Sequence, residues 1–121
     1  MARILIAEDE QALRFWMSTA LRVMGYEIVD TADGRAAWNC LQRDQRFDLV
    51  ITDVQMPHMN GIELAERISQ AHPQLPIMII TAFSEPRSEI VHEGQYPFLI
   101  KPTTHQQLIA TVKKIIGQPG T

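Results

Sequence analysis

The chain has 121 residues and a net charge of −3, with 45% hydrophobic and 21% charged residues. This length allows one domain with one core, and the hydrophobic content is too high for a disordered chain. The slightly acidic charge gives no electrostatic basis for binding nucleic acid. No apolar run reaches the roughly 18 residues of a membrane span. We therefore expect residues 1–121 to form one cytoplasmic domain that binds neither nucleic acid nor a membrane directly.

Four short segments are apolar throughout and do not alternate with polar residues. They are residues 4–7, 49–51, 77–80 and 98–100. Continuous apolar runs of this length are typical of parallel strands that are covered on both faces. A fifth candidate, residues 27–31, is more polar, and we expect it at an edge of the sheet.

Helical periodicity fills most of the segments between these runs. The first helix is predicted from apolar residues that recur every three or four positions, namely Leu13, Trp16, Met17, Ala20, Leu21 and Met24. Gly25 is its predicted stop, Asp33 is the predicted N-cap of a second helix, and a third helix must end before Pro73.

The segment before the last strand is short for a helix. Pro86 and Gly94 leave only residues 87–93, which predicts a shortened fourth helix. A capping box of Thr104 and Gln107 then begins the last helix, and Gly117 ends it. Five βα units in succession predict a doubly wound α/β domain with a five-stranded parallel sheet and right-handed crossovers.

Polar residues follow the predicted strands at the edge where such folds place their working site. Glu8 and Asp9 follow the first strand, Asp53 the third, Thr81 the fourth and Lys101 the fifth. Three carboxylates at one edge would repel one another without a cation, which predicts a hard divalent ion, best Mg²⁺. The lysine and the threonine hydroxyl would complete a phosphate environment, with a carboxylate placed for in-line attack on phosphorus.

Five short motifs occur in a recognisable order along the chain. They are AEDE at residues 7–10, ITDVQMP at residues 51–57, Asn60-Gly61, Thr81-Ala82 and Lys101-Pro102. With this set the whole chain resembles the receiver domains of two-component response regulators, the family of the chemotaxis response regulator. The resemblance implies the flavodoxin-like (βα)5 fold with strand order 2-1-3-4-5.

The resemblance also implies roles for the acidic residues. Asp53 would be the phosphoacceptor and a metal ligand, and Asp9 would bind the metal directly. Glu8 would be a ligand through water, and the backbone carbonyl of Gln55 would be a further ligand. The implied cofactor is Mg²⁺.

Three further residues have implied roles in sensing the phosphoryl group. Thr81 and Lys101 would contact it, and Phe98, three positions before the lysine, matches the family's switch aromatic. The Lys101-Pro102 peptide would be cis.

The predicted function is a phosphorylation-activated switch, not a turnover enzyme. Asp53 would take a phosphoryl group from a sensor histidine kinase or a histidine phosphotransfer protein, and the altered surface would recruit a downstream protein. One alternative is a receiver-like interaction module that works without phosphorylation, which the short fourth helix favours. The other is a Mg²⁺-dependent aspartyl-phosphate phosphatase, but that class requires Asp-x-Asp where this chain has Glu8-Asp9-Glu10.

Overall fold

A computed structural model describes residues 2–44, 46–82 and 96–117. Within these ranges the chain forms five strands and four helices. In chain order they are β1 (Arg3–Ala7), α1 (Gln11–Val23), β2 (Glu27–Thr31), α2 (Gly34–Arg43), β3 (Leu49–Asp53), α3 (Gly61–Ala71), β4 (Ile77–Thr81), β5 (Phe98–Ile100) and α4 (His105–Ile116). The predicted short helix at residues 87–93 lies outside the described residues.

The strands form one parallel sheet in the order β2-β1-β3-β4-β5, which confirms the predicted topology. The polar strand β2 lies at one edge, as its composition predicts. The prediction of burial on both faces is wrong for β5, where Phe98 and Ile100 are each 39% exposed. This strand is the opposite edge of the sheet, so it pairs with β4 alone.

Two hydrophobic layers cover the two faces of the sheet. Ile4 and Ile6 of β1 enter the layer that contains residues of α1 and α4. Leu5 and Ala7 enter the opposite layer, which contains residues of α2 and α3. Because successive side chains of a strand point to opposite faces, burial on both sides fixes the strand register strongly. None of the helices in the described ranges is long and apolar enough to cross a membrane.

The predicted helix boundaries are observed as hydrogen-bonded caps. The Asp33 carboxylate accepts a hydrogen bond from the Ala36 backbone amide at 2.8 Å. At α4, the Gln107 amide donates to the Thr104 hydroxyl, and the Thr104 amide donates to the Gln107 side chain, both at 3.0 Å. The last helix therefore begins at a fixed point, a short distance after Lys101.

The carboxyl ends of β1, β3, β4 and β5 lie next to one another at one edge of the sheet, as predicted. The strands β3 and β4 are longer than predicted, because Asp53 and Thr81 are their last residues and do not follow them. Both residues remain in the ladder, since Asp53 pairs with Ile80 and Thr81 pairs with Ile100. Parallel pairing thus fixes the backbones of both functional candidates.

We expect Thr104→Ala to lower the free energy of unfolding by about 1 kcal/mol, because it removes the N-cap acceptor of α4. Urea denaturation followed by circular dichroism measures this change. Thr19→Ala is the matched control, since Thr19 is exposed within α1 and caps nothing. An equal loss of stability in both variants would contradict the role of the cap.

Candidate functional site

Three carboxylates converge at the carboxyl edge of the sheet. Glu8, Asp9 and Asp53 each place a carboxylate oxygen within 4.8 Å of the other two. Glu8 and Asp53 are buried, at 0% and 6% exposure, whereas Asp9 is exposed. The sequence prediction that these acids meet is confirmed, because β1 and β3 are neighbours in the sheet. The cluster is closed on the side of the core and open on the side of Asp9.

Lys101 lies between the two buried carboxylates. Its Nζ is 2.8 Å from Oδ2 of Asp53 and 3.3 Å from Oε1 of Glu8. Burial disfavours the charged ammonium, but the hydrogen bond to Asp53 and the charges of both acids outweigh it and raise the pKa of Lys101. The ammonium therefore stays charged and offsets part of the negative charge of the cluster.

Glu8 is the most deeply buried acid of the cluster. Burial raises its pKa to about 7, with the charge of Asp53 acting in the same direction and the Glu10 amide and Lys101 acting against it. The Glu10 amide donates to Oε2 at 2.9 Å. The other oxygen, Oε1, is buried, and among the described residues it has the Lys101 ammonium at 3.3 Å but no hydrogen bond of good geometry.

This cluster fits a hard divalent cation. It offers only carboxylate oxygens as side-chain donors, which suits Mg²⁺ or Ca²⁺ better than softer metals. The buried Oε1 of Glu8 has only the 3.3 Å ion pair with Lys101 among the described residues, and a nearby cation, direct or through water, would satisfy its remaining lone-pair capacity. A groove of about 610 Å³ opens beside the acids, and Asp9, Gln55 and Asn60 are among its lining residues.

The backbone around Asp53 is held on several sides. The Val54 amide donates to Oδ1 of Asp53 at 2.6 Å, and the Lys101 ammonium donates to Oδ2. The first residue of α3 lies close, since the Gly61 amide donates to the Val54 carbonyl at 2.8 Å. A Cβ at Gly61 would lie 1.8 Å from the Asp53 carbonyl oxygen, so a glycine is required there. The Asn60-Gly61 motif therefore has a packing reason.

The remaining predicted residues occupy distinct positions around the cluster. The Lys101 amide donates to the Thr81 carbonyl at 2.7 Å, which extends the β4–β5 ladder and brings these two residues together. The Lys101-Pro102 peptide is cis, as predicted. Gln55 is exposed in the loop after β3.

Phe98 lies on the edge strand, on the same face of the sheet as Thr81. Ile79 pairs with Phe98, and side chains two positions apart on a strand, such as those of Ile79 and Thr81, point to the same face.

One residue near the cluster was missed by the sequence analysis. The guanidinium of Arg14 in α1 donates from Nη1 to the Glu8 backbone carbonyl at 2.8 Å. Its position one turn into the helix, shortly after the acidic motif, is the only sequence signal for this contact. A surface arginine on an amphipathic helix is too common for that signal to be specific.

Comparison with known proteins identifies relatives over the whole site. The family model described as "Response regulator receiver domain" matches residues 4–113. The response regulator receiver protein CpdR of Brucella abortus is 36% identical over 120 residues, which cover 96% of this chain and 98% of that protein. The response regulator protein FleR of Pseudomonas aeruginosa is 36% identical over 124 residues, which cover 99% of this chain but 26% of FleR. The chain thus spans nearly all of one relative and about a quarter of the other.

Among solved structures, the response regulator protein TrrA of Thermotoga maritima, in complex with Mg²⁺-BeF, superposes with a TM-score of 0.86. It is 31% identical, and the match covers 95% of this chain and 99% of TrrA.

Glu8→Gln should have opposite effects on stability and on metal binding. In EDTA at pH 8 we expect it to raise the free energy of unfolding by about 1–3 kcal/mol, because it removes a buried charge while Lys101 keeps its partner Asp53. Calorimetric titration with Mg²⁺ should show affinity weakened about 10- to 100-fold, since an oxygen charge near the ion is lost.

Glu10→Gln is the control for this pair of effects, since Glu10 is an exposed neighbour outside the cluster. It should leave both quantities nearly unchanged. A Glu8→Gln protein that binds Mg²⁺ as well as the wild type would contradict the assignment of Glu8 to the metal site.

Proposed function

Because the chain belongs to the receiver domain family of two-component response regulators, we propose that Asp53 accepts a phosphoryl group from a phosphohistidine donor. The observation that carries this proposal is the surroundings of Asp53. Its carboxylate is 2.8 Å from the Lys101 ammonium and belongs to the same cluster as Glu8 and Asp9. A nucleophile, a cation and metal-binding oxygens therefore meet at one point, which opens to solvent through the adjacent groove.

The proposed reaction is a direct displacement at phosphorus. A carboxylate oxygen of Asp53 forms a bond to phosphorus while the bond between phosphorus and the histidine nitrogen breaks. The electron pair of the broken bond stays on that nitrogen, and the imidazole, protonated on its other nitrogen before transfer, leaves as a neutral ring. The product on this chain is an aspartyl phosphate.

The acids are proposed to hold Mg²⁺, which neutralises charge on the phosphoryl oxygens when bound. Asp9, Asp53 and the backbone carbonyl of Gln55 would be ligands, with Glu8 acting through water. The position of these residues around one cluster and one groove supports this set. That TrrA was solved with Mg²⁺-BeF is a further support, because TrrA is similar over almost the whole chain.

Lys101 and Thr81 would stabilise the phosphoryl group from the protein side. The Lys101 ammonium, already charged and beside Asp53, neutralises the added negative charge. The Thr81 hydroxyl would supply a hydrogen bond, and its place at the end of β4 next to Lys101 supports that role.

The signal is proposed to travel from Thr81 to Phe98. Both residues lie on the sheet face that carries α2 and α3, and Phe98 is at the exposed edge strand. When Thr81 moves toward the phosphoryl group, the aromatic ring can turn inward, which changes the outer surface. This surface would then bind a downstream protein target.

The proposed partners are a sensor histidine kinase or a histidine phosphotransfer protein as donor, and a protein as target. The chain would act as a self-modifying signalling domain, not as a turnover enzyme. A module that works without phosphorylation would not need the buried acids, and the presence of Glu8, Asp9, Asp53, Thr81 and Lys101 at one edge favours phosphorylation.

Asp53→Asn should abolish labelling by acetyl phosphate or by a phosphohistidine donor in the presence of Mg²⁺, because an amide is a poor nucleophile. Intact-mass measurement detects the added phosphoryl group. Asp33→Asn is the matched control, since asparagine is an equally good N-cap for α2 and Asp33 lies outside the cluster. Labelling of Asp53→Asn at the wild-type level would place the acceptor elsewhere.

In the full chain labelled with fluorophenylalanine, we expect Mg²⁺ with beryllofluoride to shift the ¹⁹F signal of Phe98, because the mimic draws Thr81 toward it. Thr81→Val keeps the shape of the side chain and removes the hydroxyl, so it should abolish the shift. Phe15, which is 70% exposed on α1, gives the control signal and should not move. A Phe98 response that persists in Thr81→Val would contradict the coupling.

A further inference from the structure

We propose that Arg14 is a positioning residue of the metal site and that it acts by fixing the turn that carries Glu8 and Asp9. This inference rests on the proposed function of the cluster as a Mg²⁺ site. The contact that suggests it is the 2.8 Å hydrogen bond from Arg14 Nη1 to the Glu8 carbonyl oxygen, which is partly buried.

The turn is held on both sides of Asp9, once by the Arg14 side chain and once by the helix backbone. The Arg14 guanidinium donates to the carbonyl of Glu8, the residue before Asp9. The backbone amide at position 14 donates at 2.9 Å to the carbonyl of Glu10, the residue after Asp9, which is the first hydrogen bond of α1 and does not depend on the side chain. The Glu10 amide closes the turn by donating to the Glu8 carboxylate at 2.9 Å. Three hydrogen bonds therefore define a turn of three residues.

Asp9 itself depends on this turn for its position. Its side chain is exposed, and no hydrogen bond to its carboxylate comes from the described residues, in contrast to Glu8 and Asp53. A flexible carboxylate binds a cation weakly, because ordering it costs conformational entropy. Fixing the backbone of Asp9 in advance reduces that cost.

The direction in which the Mg²⁺ affinity changes distinguishes a positioning role of Arg14 from a purely electrostatic one. An arginine near an acidic cluster repels a cation, so its removal would tighten Mg²⁺ binding if charge alone mattered. If Arg14 positions the turn, its removal weakens Mg²⁺ binding in spite of the favourable change in charge. Arg14→Met removes the donor and the charge while keeping most of the apolar stem.

The experiment compares Mg²⁺ binding by calorimetry in the full chain and in four variants, each also unfolded by urea in EDTA. Arg14→Met should raise the Kd for Mg²⁺ about tenfold. Arg14→Lys keeps the charge and can donate one hydrogen bond, so its Kd should lie between those of the wild type and Arg14→Met. Should Arg14→Met fail to fold, Arg14→Gln replaces it, since glutamine is a good helix former whose amide is too short to reach the Glu8 carbonyl.

Arg22→Met is the matched control. Arg22 lies on the same helix, donates to the Ile28 carbonyl at 3.3 Å, and is about two turns from the cluster. The Arg22→Met variant loses the same charge and a similar hydrogen bond to a backbone carbonyl, and its Kd for Mg²⁺ should equal that of the wild type. A fall in stability without a change in Kd for Arg14→Met would show a merely structural role and overturn the proposal, as would a lower Kd.

The fourth variant, Asp9→Asn, tests the metal site separately. If Asp9→Asn binds Mg²⁺ as tightly as the wild type, the proposed function of the cluster fails and the role of Arg14 fails with it. If Asp9→Asn weakens binding while Arg14→Met does not, the cluster keeps its proposed function and only the inference about Arg14 is overturned.

Discussion

The ammonium of Lys101 lies 2.8 Å from Asp53 and 3.3 Å from Glu8, and the charge balance of the site depends on it. Two carboxylates as deeply buried as these would lose most of their hydration, and their mutual repulsion would disfavour the folded state. The lysine offsets this repulsion in part, which leaves an excess of negative charge for a metal ion. The same residue thus supports the fold without a metal, and the negative charge that it leaves unbalanced is what a metal ion would neutralise.

The sheet places four groups of the site, whereas Asp9 lies in the turn between β1 and α1. Asp53 ends β3 and Thr81 ends β4, and parallel pairing fixes both backbones. Glu8 and Lys101 directly follow β1 and β5, and the backbone amide of each donates to the carbonyl that ends a neighbouring strand. The loop after β3 is fixed differently, by the close approach of α3 at Gly61. These four groups are therefore held by or directly beside paired strands, and the groove next to the acids opens to solvent.

Much of this arrangement could be predicted from the sequence, because the signals were local. Continuous apolar runs indicated the strands, and the residues at their ends indicated the acidic cluster. The exposure of Phe98 could not be read from its apolar run, since an edge strand and a central strand of three residues have the same composition. The contact of Arg14 with Glu8 was missed because it depends on the direction of one long side chain, and the requirement for Gly61 was recognised only as a family motif.

The order of the strands along the chain has a consequence for how the site is assembled. Asp53 and Lys101 are 48 positions apart, and the lysine follows β5, which is the last strand of the sheet in sequence. While the chain is being synthesised, the acids after β1 and in β3 emerge before their counter-charge does. Their burial therefore gains this counter-charge only when β5 pairs with β4, and that pairing carries the entropy cost of a contact distant in sequence. Pairing of the last strand thus completes both the edge of the sheet and the charge balance of the site.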